Sequence, residues 1–160
     1  TVTTIKHDRD ILVHQARGYL LIGIETNEDL KSITIFGPED IELSSNDLRE
    51  GSNYLLVDLE PGTYTIHKVM LDRYYRFEID REKKSLWQFT IKANQINYAG
   101  HLEVSQRWPF GGSLILANRS SEALVFLEQK FPNILAARDI VYSGPGDDDF
   151  FQFVAQIGKE

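Results

Sequence analysis

Four histidines, His7, His14, His67 and His101, are the only imidazoles in the chain, and no cysteine accompanies them. Without cysteine there is no thiolate zinc site, no disulfide and no cysteine nucleophile. No two of the histidines stand at i, i+4 on a helix or in an HxH strand pair, the local spacings that hand a metal two nitrogens. His67 and His101 lie in stretches that read as strands and could face each other from neighbouring ones. Against that, His101 has the parity opposite to Tyr98 and Leu102, which assigns it to the solvent side as a surface histidine.

Oxygen ligands are the next candidates. Asp147 and Asp149, flanking Asp148 after Gly144-Pro145-Gly146, would project to one side of a loop and could bind Ca²⁺, which takes several oxygens. The stretch lacks the twelve-residue spacing of an EF-hand, and a solvated acidic loop is the plainer reading. Serine chemistry has no support, since there is no Gly-x-Ser-x-Gly elbow and Ser113 opens a strand after Gly111-Gly112. No phosphate loop or dinucleotide fingerprint is present, and no cofactor is expected. Paired carboxylates cannot be matched from sequence alone, so a metal-dependent hydrolase stays open as the weakest reading. The aromatic loop Trp108-Pro109-Phe110 offers two large apolar rings. Trp108 and Phe110 would suit stacking on sugar rings or a protein partner, unless the loop folds over the open end of the core.

The elements that must position these groups are mostly strands. Gly18 to Glu25 is nearly all apolar, which predicts a central strand buried on both faces. Lys31 to Phe36 alternates, Ile41 to Ser44 is a short edge strand, and Asn53 to Leu59 points Leu55, Val57 and Leu59 one way. In Leu59-Glu60-Pro61-Gly62-Thr63-Tyr64, Pro61 presets φ and Gly62 supplies the positive φ of a type II turn. Tyr64 and Ile66 then share a face, but Val69 and Leu71 take the opposite parity, which predicts a β-bulge near His67-Lys68. Tyr74 to Ile79 and Leu86 to Lys92 read as a hairpin across a charged turn. Ile96, Tyr98, Leu102 and Val104 line one face of a long strand, with Gly100 marking a close neighbour. Ser113 to Ala117 is a further strand. One short helix is expected near 120–131, capped by Ser120 or Ser121, with Leu124, Leu127 and Phe131 as its apolar stripe and Pro132 as its stop. The 160 residues read as one domain with an N-terminal arm over 1–16 and a C-terminal tail over 140–160.

Charge narrows the partners. With 24 acidic against 17 basic residues the net charge is −7, and no basic cluster offsets it locally. Nucleic acid and anionic lipid surfaces are therefore not expected partners. No run of 18 apolar residues could span a membrane as a helix. The chain begins at Thr1, which predicts that a leader was removed and the protein exported, with a cytoplasmic location as the alternative.

The turn Leu59-x-Pro61-Gly62-x-Tyr64 and its strand resemble those of prealbumin-like β-sandwiches. The longer run, with Phe89-x-Ile91-x-Ala93-x-x-Ile96-x-Tyr98-x-Gly100 after it, resembles a family of exported bacterial proteins, many of them predicted lipoproteins, of unknown function. The resemblance implies an antiparallel β-sandwich in the periplasm or anchored at the outer membrane by a lipid on a missing N-terminal Cys. Its motifs are structural and carry over no catalytic residue. The expectation is a non-enzymatic envelope protein that binds or builds, with another envelope protein or a glycan as partner. The alternative is a carbohydrate-binding module that uses its exposed aromatics.

Overall fold

The structure, a computed structural model, describes residues 4–9, 17–45, 48–72, 76–79, 87–106, 112–144 and 151. It is mainly β, with two five-stranded sheets facing each other across a shared apolar core.

Sheet A is built on β1 (Gly18–Thr26), which lies between β4 (Gly51–Leu59) and β8 (Ile96–Gln106). Along the far side of β8 run β9 (Gly112–Ala117) and β10 (Ile140–Tyr142). Sheet B runs β3 (Ile41–Ser44), β2 (Ser32–Phe36), β5 (Gly62–Met70), with β6 (Arg76–Glu78) and β7 (Gln88–Ile91) on the other edge of β5. Sheet B is antiparallel throughout, as expected. Sheet A is mixed: β8 runs parallel to β1 and β10 parallel to β8. The expectation of an all-antiparallel fold is corrected there, because β1 and β8 are joined by a long connection that passes through β4 and the strands of sheet B and not by a turn.

The central reading of Gly18 to Glu25 holds. Leu20, Ile22 and Ile24 face sheet B, while Tyr19 and Leu21 face a second apolar cluster beneath two helices. These are α1 (Ser120–Lys130) and α2 (Pro132–Ala137). Pro132 ends the first helix as expected but also opens the second, at the first-turn position where a missing N–H is harmless. Neither Ser120 nor Ser121 caps α1. Its start residue is Arg119, and the side chain of Asn118 accepts the Ser120 N–H at 3.1 Å. The N-terminal arm does useful packing. Ile5 N–H donates to the Leu56 carbonyl at 2.8 Å, and the Asp8 carboxylate accepts the Asn133 and Ile134 N–H groups of α2 at 2.9 and 3.0 Å.

The Pro61-Gly62 turn is held from both sides. Gly62 has φ +145°, and a Cβ on it would stand 2.5 Å from Pro38 Cγ. Tyr64 is fully buried, donates its hydroxyl to the Glu60 carbonyl at 2.7 Å, and stacks on Phe89 with ring centroids 5.7 Å apart. The bulge is where parity placed it: Thr34 pairs with Lys68 and Ile35 with Ile66, so His67 is the extra residue. Among the described residues, the hairpin expected over 74–92 is not formed, since β6 and β7 do not pair with each other. β6 and β7 lie head to tail along one edge of β5, pairing with Lys68–Met70 and Gly62–Thr65. A nine-residue strand offers backbone groups to two short segments, and pairing them with each other would leave that edge unsatisfied.

Candidate functional site

The polar residues that the fold brings together lie on the helix-covered face of sheet A. A second bulge creates the arrangement. Leu21 pairs with Tyr98 but Ile22 pairs with Gly100, so Ala99 is extra and the parity of β8 reverses beyond it. Gly100 takes φ +123° there. Ile96 and Tyr98 face the helices, whereas Leu102 and Val104 face the inter-sheet core. The expectation that all four line one face is corrected. His101 is corrected with them: it points under the helices and is 1% exposed. His67 lies in sheet B and His101 in sheet A, so the two do not meet as neighbouring-strand histidines.

His101, Gly23 and Tyr54 stand abreast on β8, β1 and β4. Gly23 is the floor of this row. A Cβ there would be 2.1 Å from His101 Nδ1 and 3.0 Å from Tyr54 Cε1, so only glycine admits both rings. The rings sit 5.4 Å apart, and Tyr54 stacks in turn on Phe126 of α1 at 4.9 Å. Both ring nitrogens of His101 and the hydroxyl of Tyr54 are buried without a hydrogen-bond partner among the described residues. Burial holds the His101 pKa below its ordinary 6.5, and the nearby Arg119 cation pushes the same way, against Glu25, Glu103 and Glu122. Burial also drives the Tyr54 hydroxyl up to about 12. At ordinary pH the imidazole is neutral and keeps one acceptor and one donor nitrogen.

Two residues further along the same strands, Glu25 and Glu103 stand directly side by side. Like charges in that position repel. Arg119, at the start of α1, spans them: it pairs closely with Glu103 and reaches Glu25 at 3.6 Å and Glu122 at 3.5 Å. The bond to Glu103 raises the Arg119 pKa further. Glu25 Oε2 is also 3.6 Å from His101 Nε2. A cleft of about 370 Å³ opens beside this cluster, lined by Glu25, Glu103 and Arg119 together with Asn27, Ser105 and Ser113 among others. Ser113 thus borders a charged cleft, with no hydrogen bond to a histidine among the described residues. Among the described residues, no three His, Asp or Glu side chains are placed to hold a metal ion.

The outer face of sheet B is different in kind. Phe36, 44% exposed, stacks on His67 with centroids 4.7 Å apart. A groove of about 450 Å³ runs beside the pair, lined by Gly37, Thr63, Thr65, Ile66, Ile79 and Gln88 as well. The His67 bulge helps to shape it, because the extra residue tilts that ring beside Phe36.

The residues singled out from sequence fall elsewhere. Trp108 and Phe110, and the acidic pair Asp147 and Asp149, lie outside the described residues, as does His14; His7 is exposed on the N-terminal arm. The buried row was missed. Its one signal was Gly23, a glycine within an otherwise apolar central strand, which marks a close approach without saying by what. Compared with known proteins, the chain matches no family model, no curated protein and no solved structure.

Proposed function

We propose that this chain is a non-enzymatic binding protein of the bacterial cell envelope, a prealbumin-like β-sandwich of the exported, often lipid-anchored kind that its Pro-Gly-x-Tyr strand resembles. The observation that carries the binding role is the contrast between the two outer faces. Helices cover sheet A, whereas sheet B leaves a groove of about 450 Å³ with a half-exposed aromatic at its rim. A concave site lined by apolar and aromatic side chains with a few polar groups is a common form of ligand surface.

The groove favours a neutral, hydroxyl-rich ligand, which gives the carbohydrate-binding reading its specific support. Among the described residues that line it, none is an acid, a lysine or an arginine, in a chain of net charge −7. Phe36 supplies an apolar ring for the C–H face of a sugar, while Thr63, Thr65 and Gln88 supply donors and acceptors. Two measurements test the proposal. Fractionation of cells carrying the native gene should place the protein in the envelope, and recovery from the cytoplasm sinks that half. Glycan-array screening should find saccharides whose binding Phe36→Ala abolishes while the far-ultraviolet circular dichroism is unchanged. Binding untouched by Phe36→Ala and by His67→Ala would move the site away from sheet B.

A further inference from the structure

We infer that the cleft beside α1 is a second site, one that takes a small organic amine in its ammonium form. The inference starts from an imbalance of charge. Glu25 and Glu103 are forced together by strand register, Glu122 joins them from α1, and among the described residues Arg119 is the cation shared by the three. That guanidinium is close only to Glu103. Its contacts to Glu25 and Glu122, at 3.6 and 3.5 Å, are at or beyond ordinary hydrogen-bond length. The Glu25 carboxylate is 47% exposed and lines the cleft. It is left with a strong acceptor facing open volume.

The second observation concerns the imidazole beside Glu25. His101 is buried, has no hydrogen-bond partner at either ring nitrogen among the described residues, and directs Nε2 at Glu25 from 3.6 Å. Unpaired buried polar groups are rare in folded proteins and call for an explanation at the site where they occur. A ligand ammonium has three donors in tetrahedral array. Seated at Glu25, it would meet that carboxylate first, with Glu103 beside it. The shift of Glu25 toward the ligand would change what His101 Nε2 faces. Asn27, Ser105 and Ser113 supply further polar contacts along the cleft, and about 370 Å³ is room for a short alkyl chain behind the ammonium. An anion is disfavoured by the surplus of carboxylate. A neutral sugar leaves the surplus uncorrected, which separates this site from the groove on sheet B.

The test is a titration of the full chain, labelled with nitrogen-15, by ethylammonium and by putrescine, following the ring signals of His101. Saturable movement of those signals is expected, with affinity falling as salt is added. Glu25→Gln, which keeps the side-chain shape, should weaken binding about tenfold or more, as loss of a charge-assisted hydrogen bond does. Should that variant fail to fold, Glu25→Asp retains the charge, shortens the reach and should bind several-fold more weakly. Acetate and glycerol at equal concentration should leave His101 unmoved. The inference is overturned if neither amine gives a saturable shift at tens of millimolar, if acetate moves His101 equally, or if the Glu25 variants bind as the parent does.

Discussion

Sheet B has one dry face and sheet A has two, and most of what distinguishes the two regions follows from that. Along β5 the residues alternate between the core, where Tyr64, Ile66 and Val69 sit, and a polar outer face of Thr63, Thr65 and Lys68. Along β1 nearly every residue is buried, toward sheet B on one side and toward α1 and α2 on the other. Each sheet contains a bulge, at His67 in β5 and at Ala99 in β8. In β5 the bulge turns a histidine outward beside an exposed ring. In β8 it turns a histidine inward, under a helix, where no described residue hydrogen-bonds its nitrogens. A change of register is benign where the outer face is wet and leaves polar atoms stranded where it is dry.

The largest test of this contrast lies in the shared core. Tyr64→Ala removes a fully buried ring that stacks on Phe89 and holds the turn, and should cost about 3–5 kcal/mol in denaturant unfolding. A loss below about 1 kcal/mol would mean that the interior of sheet B is not packed as described. Next comes the dry outer face of sheet A. Gly23→Ala places a methyl group against His101 and should cost about 1–3 kcal/mol by overpacking. Adding His101→Ala should recover part of that loss, because the two changes share one space. If the losses simply add, the crowding is not at His101.

The pH dependence sharpens the same point. His101 has a folded-state pKa below its ordinary 6.5, so below about 6.5 the unfolded chain takes up a proton that the folded chain refuses. Stability contributed by this site is therefore whole above 6.5 and is lost as pH falls from there toward the folded-state value. Unfolding curves of His101→Gln should be flatter than the parent's over that window; an equal slope would assign the pH dependence to other groups. The smallest stability effect belongs to the open face. Phe36→Ala should change unfolding free energy by no more than about 0.5 kcal/mol, as surface changes do, while removing saccharide binding.

The same contrast explains what could be read from sequence. Alternation reports which way a side chain points only when one face is wet. On β5 the switch from Tyr64 and Ile66 to Val69 was visible because the opposite positions are polar. On β8 both faces are covered and the bulge falls at Ala99-Gly100, where no polar residue marks the switch, so Ile96, Tyr98, Leu102 and Val104 keep one parity in the sequence while lying on two faces in the fold. The same unbroken parity assigns His101 to solvent, although the fold buries it. The parallel pairing of β1 with β8 left no local mark, since it depends on partners far apart in the chain. Short elements held by tertiary partners were equally silent. α2 depends on Asp8 from the other end of the chain, and β10 on the free edge of β8. The binding residues expected at 108, 110, 147 and 149 lie outside the described residues, whereas the charged cleft rests on register and could not be assembled from spacing.

The parallel contact between β1 and β8 also sets a schedule. Asn97 of β8 donates its side-chain N–H to the carbonyl of Tyr19 in β1 across 78 positions of sequence, and it clips the neighbouring chain at Lys92 as well. A ribosome adding about 5–20 residues per second finishes β1 several seconds before it reaches that asparagine. During this interval β4 can cover one edge of β1, but the other edge and much of its apolar surface wait for β8. Non-local parallel pairing is among the slowest steps in folding. The strand that ends as the driest in the molecule is thus the one longest without its partner, and nascent chains that stop before Gln106 are expected to aggregate or to need a holding chaperone.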